Sequence, residues 1–149
     1  MKMKTSRLVI RIKNIFLIFA SIIMIFLFNS CSTSKPFLTS SKVPAARGTV
    51  TVKTDRSKNY VIKILITNLS EVERLDPKKN TYVVWMVTED NITKNIGQIE
   101  SSTSFLSKML KASFETKSSF KPAKIFITAD YDANIQYPSS EVILTTDNF

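Results

Sequence analysis

Apolar and polar residues alternate along most of the chain after residue 48, a pattern typical of β-strands with one buried face. Apolar side chains occupy every second position in the segments that begin at Val50, Tyr60 and Ile125. Shorter alternating segments predict further strands at residues 95–100, 111–117 and 142–144. About seven strands in roughly 100 residues predict an all-β fold, a single immunoglobulin-like antiparallel β-sandwich over residues 48–149.

Residues 82–88 (YVVWMVT) form the most apolar of these segments. Because both of its faces are apolar, it is predicted to be a central strand with Trp85 at the centre of the core. Gly97 interrupts the alternation of Ile96 and Ile99, so we expect a β-bulge there. Helical spacing predicts a single helical turn formed by Phe105, Leu106, Met109 and Leu110.

Polar segments at 55–59, 76–80 and 89–91 separate the predicted strands. Each contains Asp and Asn, and Asn can adopt the left-handed conformation of a tight reversal in a chain that has only two glycines. These reversals favour antiparallel connections. The strand that follows residue 124 is expected to place four side chains on one face: Ile125, Ile127, Ala129 and Tyr131.

The first 31 residues have the pattern of a signal peptide. Five basic residues and no acid precede Asn14, and residues 15–28 are all apolar, small or hydroxylic. This run of fourteen residues is too short for a helix that spans a membrane, which needs about 20 apolar residues. Ser30 and Cys31, the only cysteine, follow shortly after it, an arrangement that resembles the lipobox of bacterial lipoproteins.

The lipobox resemblance implies that residues 1–30 are a lipoprotein signal peptide and that Cys31 is the lipid attachment site. In that family the cysteine sulfur takes a diacylglycerol, and the freed amine is often acylated as well, so labelled palmitate should be incorporated. An uncleaved membrane anchor and cleavage by the ordinary signal peptidase are the alternatives. Ser32 stands where an inner-membrane retention signal has Asp, which implies the outer membrane in a cell that has one. The expected location is the extracytoplasmic side of a bacterial cell envelope.

Residues 31–47 are predicted to be the lipidated cysteine followed by a flexible tether. Ser, Thr, Lys, Pro and Ala dominate this stretch, and Pro36 and Pro44 interrupt any regular element. Such a tether would let the domain stand away from the lipid surface. Phe37 and Leu38 would either enter the lipid interface or pack on the domain.

Composition excludes several kinds of chemistry. Without histidine, the chain lacks Ser-His-Asp and Cys-His catalytic groups and imidazole metal ligands. With one cysteine, it cannot form an internal disulfide. Lysine and arginine outnumber the acids 21 to 12, but removal of the five basic residues of the signal peptide lowers the net charge from +9 to +4. The remaining basic residues are scattered, so nucleic-acid binding is not expected.

One loop has oxygen ligands at the spacing of an EF-hand. Its positions one, three, five and twelve are Asp130, Asp132, Asn134 and Glu141. The sixth position, where the sharp turn needs glycine, is Ile135. An ordinary polar turn is therefore favoured over a calcium site.

Two further spacings suggest chemistry on first inspection. Ser118 and Lys121 have the serine–lysine spacing of penicillin-binding enzymes, but their companion motifs are absent. Tyr131, Tyr137 and Pro138 could form a stacking platform for a sugar or a peptide, or they could pack along the rim of the sandwich. No catalytic, metal-binding or cofactor-binding residue is predicted.

Four motifs follow one another in the predicted sandwich: Tyr82 to Trp85 (YVVW), Ile96 to Ile99 (IGQI), Lys124 to Asp130 (KIFITAD), and Pro138 ahead of residues 142–144. Their order resembles the C-terminal extracytoplasmic domain of the anti-sigma-K factor (regulator of sigma K) family. The resemblance covers residues 48–146 and implies an all-β sandwich that supplies no catalytic residue. Departures from the family are Ala133, Asn134 and the Ser140–Glu141 pair, which stand where it has glycines.

Two functions remain as hypotheses. The first is a non-catalytic cell-envelope lipoprotein whose sandwich binds a partner protein or an envelope component such as a glycan. The second is an extracytoplasmic sensory or regulatory module of an anti-sigma-type envelope-stress pathway. It would not bind a sigma factor itself, because the residues ahead of Asn14 are too few for the sigma-binding region of that family. An enzyme is not expected, because no acid–base pair or activated nucleophile stands out.

Overall fold

A computed structural model describes residues 32–99, 102–103 and 110–149 of the chain. The described part is an all-β sandwich of two antiparallel sheets, which confirms the predicted fold class. Its strands are β1 (Ser32–Pro36), β2 (Arg47–Thr54), β3 (Tyr60–Thr67), β4 (Thr81–Thr88), β5 (Thr93–Ile99), β6 (Ser102–Thr103), β7 (Leu110–Ser118), β8 (Pro122–Asp130) and β9 (Val142–Thr145). A short 3₁₀ helix spans Val72–Arg74. The helical turn predicted near residues 105–109 lies outside the described residues.

The first sheet has the strand order β1-β2-β3-β7-β6, and the second has the order β5-β4-β8-β9. In the second sheet β4, β8 and β9 are arranged as strands C, F and G of an immunoglobulin sandwich, and in the first β2, β3 and β7 are arranged as A, B and E. The described residues form nine strands rather than about seven. The two additional strands are β1 and the two-residue β6. Within the described part of the chain, no helix has the length and apolar character needed to cross a bilayer.

Alternation along the strands builds the core between the sheets. Ile62, Ile64 and Ile66 of β3 are buried, whereas Lys63 and Leu65 between them are exposed. The second sheet contributes to the same core from β4, β8 and β9, through Tyr82, Val84, Met86, Ile125, Ile127, Ala129, Ile143 and Leu144. Each large aliphatic side chain buried in this way contributes about 1.5–3 kcal/mol to folding. The period-two pattern of the sequence therefore identified the inward-facing residues of β3 correctly, and those of β8 as far as Ala129.

The prediction of a flexible tether at residues 31–47 is wrong for the described part, residues 32–47, because these residues pair with the sandwich and pack on it. Residues 32–36 form β1, which pairs along its full length with β2 from Lys53 to Thr49. Ser34 and Thr51 share a hydroxyl–hydroxyl hydrogen bond of 3.2 Å across this pair. Hydroxyl-rich composition suggested a flexible segment, but an edge strand with two exposed faces tolerates the same residues because β2 satisfies its backbone. The domain therefore begins at Ser32 and not at Gly48.

Phe37 is the residue that carries the chain from the first sheet to the second. Its side chain is buried, its amide donates to Gly48 O, and it forms a β-bridge with Thr146 beside β9. Gly48 is required here because a Cβ at this position would lie 2.7 Å from Leu65 O and 3.0 Å from the Phe37 ring. Of the two roles considered for Phe37 and Leu38, Phe37 packs on the domain, whereas Leu38 remains exposed.

The predicted bulge in β5 is confirmed. Val84 pairs with Gly97 and Trp85 pairs with Asn95, so Ile96 is the additional residue. Gly97 has a φ of +135°, and a Cβ there would lie 2.8 Å from the Phe114 ring of the opposite sheet. Glycine is needed at this position both for its backbone conformation and for the close approach of the two sheets.

The predicted reversals differ in the residue that adopts the left-handed conformation. Asn91 does so in the β4–β5 turn, as expected. In the β2–β3 turn the left-handed residue is Lys58 rather than Asn59, because the carboxylate of Asp55 accepts hydrogen bonds from the amides of Ser57 and Asn59 and fixes the loop around it. These interactions, with Asn59 first and Lys117 as an additional partner, lower the pKa of Asp55.

Candidate functional site

Trp85 is buried, as predicted, but it lies on the outer face of the second sheet and not in the core between the sheets. Its register partners Phe126 and Asn95 share that face, because directly paired residues point to the same side of a sheet. The Trp85 and Phe126 rings stack with centroids 6.2 Å apart and planes 13° apart. Both faces of β4 are therefore buried, which explains its continuous apolar sequence.

A hydrogen-bonded chain of polar groups accompanies Trp85 on this outer face. The indole Nε1 of Trp85 donates to Thr128 Oγ1 at 2.8 Å, and Thr128 Oγ1 donates to the carboxylate of Asp130. All three side chains are buried. Each buried polar atom named here is satisfied, so the chain of bonds fixes the indole and Asp130 in place.

The segment at residues 131–141 crosses this outer face. It leaves β8, reaches β5 and returns to β9, which lies on the other side of β8. Asn95 on β5 holds the segment by donating from Nδ2 to Ala133 O at 2.8 Å and to Ile135 O at 3.0 Å. Because β4 lies between β5 and β8, the segment passes over Trp85, and this explains the burial of an outward-facing indole.

A groove of about 770 Å³ separates β5 from this crossing segment. Its exposed polar side chains are the amides of Gln98, Asn134 and Gln136 and the hydroxyl of Thr93. The remaining lining residues are Lys94, Asn95, Gly97, Ala133 and Ile135. An amide side chain both donates and accepts hydrogen bonds, so these side chains can bind neutral polar groups.

The tyrosines of the crossing segment are exposed and do not pack along a rim. β8 ends at Asp130, so Tyr131 is not on the strand face predicted for it, and its side chain is 62% exposed. Tyr137 is 82% exposed, and the adjacent Pro138 is also exposed. The ammonium of Lys79 lies 4.2 Å from the centroid of the Tyr131 ring. This exposure disagrees with packing along the rim, and the stacking platform for a sugar or a peptide stays a prediction.

The EF-hand-like residues are not assembled around one point. Asp130 accepts from Thr128, Asp132 accepts from the backbone amide of Asn134 at 2.9 Å, and Glu141 pairs with Lys42 at 3.1 Å. Among the described residues, no three carboxylate, thiol or imidazole side chains form a group that could hold a metal ion. The segment has the geometry of a polar turn, and the absence of bound calcium stays a prediction.

Ser118 and Lys121 are each engaged elsewhere. The Ser118 hydroxyl exchanges hydrogen bonds with the backbone of Phe120, at 3.0 and 3.1 Å. Lys121 pairs with Glu89 at 2.5 Å, and this hydrogen bond raises the pKa of the ammonium. A lysine that activates a serine needs a lowered pKa, so this environment opposes that role.

A second cavity, of about 270 Å³, lies between the 3₁₀ helix and the edge of the second sheet. Glu71 and Glu73 line it together with Tyr82. Burial, with a contribution from Glu73, raises the pKa of Tyr82 to about 12. The phenol therefore stays protonated and donates to Ser70 O at 3.0 Å, which is a structural role.

Sequence reasoning found the tyrosines and Asn134 but missed Asn95, Gln98 and Gln136. The only feature of the sequence that points to these three residues is an excess of amides in two segments. It becomes informative when β5 and the crossing segment are known to be neighbours.

Cys31 lies outside the described residues. No protein-family model matches the chain, and neither the curated proteins nor the solved structures compared with it contain a match.

Proposed function

We propose that this protein is a non-catalytic, lipid-anchored cell-envelope protein that binds a neutral, hydroxyl-rich envelope component, such as a glycan, in the groove between β5 and the crossing segment. The observation that carries this proposal is a groove lined by the exposed amides of Gln98, Asn134 and Gln136. The crossing segment that forms one wall also carries two exposed tyrosine rings, on Tyr131 and Tyr137. Amides match hydroxyl groups as both donors and acceptors, and an aromatic ring offers an apolar face with a polar tip.

The rigidity of the groove supports binding. One wall is β5, and the other is held to it by the two hydrogen bonds from Asn95. The buried Trp85 lies beneath the crossing segment and supports it from the sheet side. A preformed site loses less conformational entropy on binding than a mobile loop does.

β5 is the edge strand of the second sheet among the described residues, and addition of a ligand strand to it is disfavoured. The bulge at Ile96 breaks the regular spacing of backbone groups, and Lys94 adds a charge to this edge. Bulges and lysines are the features by which edge strands avoid pairing with other chains. The ligand is therefore expected to contact side chains and ring faces rather than extend the sheet.

Site-specific photo-crosslinking in living cells tests the binding face. We expect a photoreactive benzophenone amino acid in place of Tyr137 to form a covalent adduct after irradiation, because this ring is 82% exposed and Tyr137 directly follows Gln136, which lines the groove. The same amino acid in place of Leu65, an exposed residue on the outer face of the first sheet, is the matched control. Asn134→Ala with Gln136→Ala should reduce the adduct at Tyr137 about tenfold, since loss of two hydrogen bonds costs about 1.4 kcal/mol or more.

Equal adducts from both positions, or none from either, would contradict the proposed groove. Digestion of the adduct by a glycan-cleaving enzyme would identify a glycan. An adduct with a transmembrane regulatory protein would instead favour the second hypothesis, a module of an envelope-stress pathway.

Lipid attachment is tested at Cys31. The wild-type protein should incorporate labelled palmitate and sediment with membranes, whereas Cys31→Ala should do neither. Two or three acyl chains, at about 0.8 kcal/mol per buried methylene, make such an anchor nearly permanent. Ser30→Ala keeps a small residue before the cysteine and is the matched control. Unchanged palmitate incorporation in Cys31→Ala would exclude this residue as the attachment site.

A further inference from the structure

The residue bonded to Cys31 lies at one particular end of the sandwich. β1 pairs Ser32 with Lys53, so the chain enters the domain beside the β2–β3 turn. The strand directions place three turns at this end, at residues 55–59, 89–92 and 119–121. We name these turns, together with Ser32 and Lys53, the entry end.

The entry end exposes two apolar side chains. Ile92 is 50% exposed and Phe120 is 45% exposed. Their turns are joined by a hydrogen bond from the amide of Glu89 to Lys121 O, and the ammonium of Lys94 lies 4.2 Å from the centroid of the Phe120 ring. Exposed apolar side chains accompanied by lysines are typical of surfaces that lie in a membrane interface.

The charge of this end complements an anionic surface. Two of its acids are already paired, Asp55 with Lys117 at 3.4 Å and Glu89 with Lys121 at 2.5 Å. Asp90 and Asp147 are the other acids near this end, and they are outnumbered by the bases that remain outside those two pairs: Lys53, Arg56, Lys58 and Lys94. Basic residues next to a bilayer are attracted by anionic headgroups.

We propose that the entry end docks on a bilayer that contains anionic lipid, with Ile92 and Phe120 in the interface and the basic side chains at the headgroups. This inference rests on the lipid attachment at Cys31 that belongs to the proposed function. Because β1 begins at the next residue, about 3.8 Å away along the chain, an acylated Cys31 holds the entry end at the bilayer. Weak contacts then suffice, since the local concentration of lipid is high.

Docking at this end also orients the candidate binding site. The crossing segment begins after Asp130, which pairs with Thr81 at the opposite end of the sandwich from Ser32. Tyr131 at the start of that segment would therefore face away from the bilayer. The Gln98 side of the groove is then presented to the envelope, whereas its Thr93 and Lys94 side adjoins the entry end.

Fluorescent labels at opposite ends of the domain test this orientation. Ser119 and Ser140 are both exposed, the first at the entry end and the second next to β9 at the far end. The full chain, processed in cells and purified from membranes, carries Ser119→Cys or Ser140→Cys, each labelled with nitrobenzoxadiazole. The acylated Cys31 offers no competing thiol. Vesicles contain phosphatidylcholine with about 30% phosphatidylglycerol, and aqueous iodide is the quencher.

We expect iodide to quench the Ser119 label about twofold less than the Ser140 label, because only the first is shielded by the interface. Ile92→Ser with Phe120→Ser should remove this difference, whereas Val142→Ser, a change at a 45% exposed residue away from the entry end, should preserve it. Lys53→Glu with Lys58→Glu, two exposed changes that leave the core intact, should also remove it in these vesicles.

Equal quenching of the two labels on vesicle-bound protein would overturn the docking proposal and leave the lipid anchor standing. Shielding that persists in both the apolar and the charge-reversed variants would overturn it as well. Failure of the processed protein to bind vesicles at all, together with absent palmitate labelling, would overturn the anchor and the docking with it.

Discussion

A fragment of residues 41–149 is expected to be far less stable than Ser32–Phe149, although its first residue lies inside the stretch that composition marks as a tether. The shorter fragment lacks β1 and exposes the edge of β2 to which β1 is paired. It also lacks the Phe37 side chain, which is buried between the two sheets. Removal of a buried phenylalanine alone costs about 3–5 kcal/mol, a large part of a typical stability of about 5–15 kcal/mol.

Urea denaturation of the two fragments, followed by circular dichroism, measures this difference. Phe37→Ala in the longer fragment should reproduce about 3–5 kcal/mol of the loss. Leu38→Ala, next to it but exposed, should change the free energy of unfolding by no more than about 0.5 kcal/mol. Equal stability of the two fragments would show that residues 32–40 are a tether after all.

Trp85→Ala should destabilise the domain by about 3–5 kcal/mol, because the indole is fully buried and stacked on Phe126. The substitution also leaves Thr128 Oγ1 without the hydrogen bond from Nε1. Since the crossing segment lies over Trp85, the variant should be cut faster by protease within residues 131–141. A tryptophan in the core between the sheets would not produce this local effect.

Trp85→Phe separates packing from hydrogen bonding. It keeps an aromatic ring against Phe126 but cannot donate to Thr128, so its loss should be smaller, about 1–3 kcal/mol. Val83→Ala, at a buried position two residues away on the same strand face, is a second comparison for the effect of volume alone. Unchanged protease sensitivity in Trp85→Ala would contradict the placement of the segment over the indole.

Composition led to a wrong prediction for the polar segment that pairs with β2. The Ser, Thr and Lys residues of segment 32–36 are compatible with a tether and with an edge strand, because neither structure needs a buried face. The difference between the two states is the backbone pairing with β2, and this depends on residues that are distant in sequence. No local pattern in the segment itself records that pairing.

The candidate site was only partly predictable for the same reason. Tyr131 and Tyr137 stood out because they lie near one loop, yet the sequence did not distinguish exposure of their rings from packing. Gln98 and Gln136 lie 38 positions apart and come together only because the crossing segment returns over β4 to reach β5.

The sequence by itself determined the inward face of β3, the bulge at Gly97 and the all-β class, because side-chain alternation and glycine geometry are local properties. Tertiary structure alone decided which apolar face of β4 meets the core, since Tyr82, Val84 and Met86 alternate with Val83 and Trp85 and both rows are apolar. The outer row is buried by a segment that follows β8, so the burial of Trp85 depends on topology. The same crossing builds the groove, because it brings amides from two distant segments to one surface.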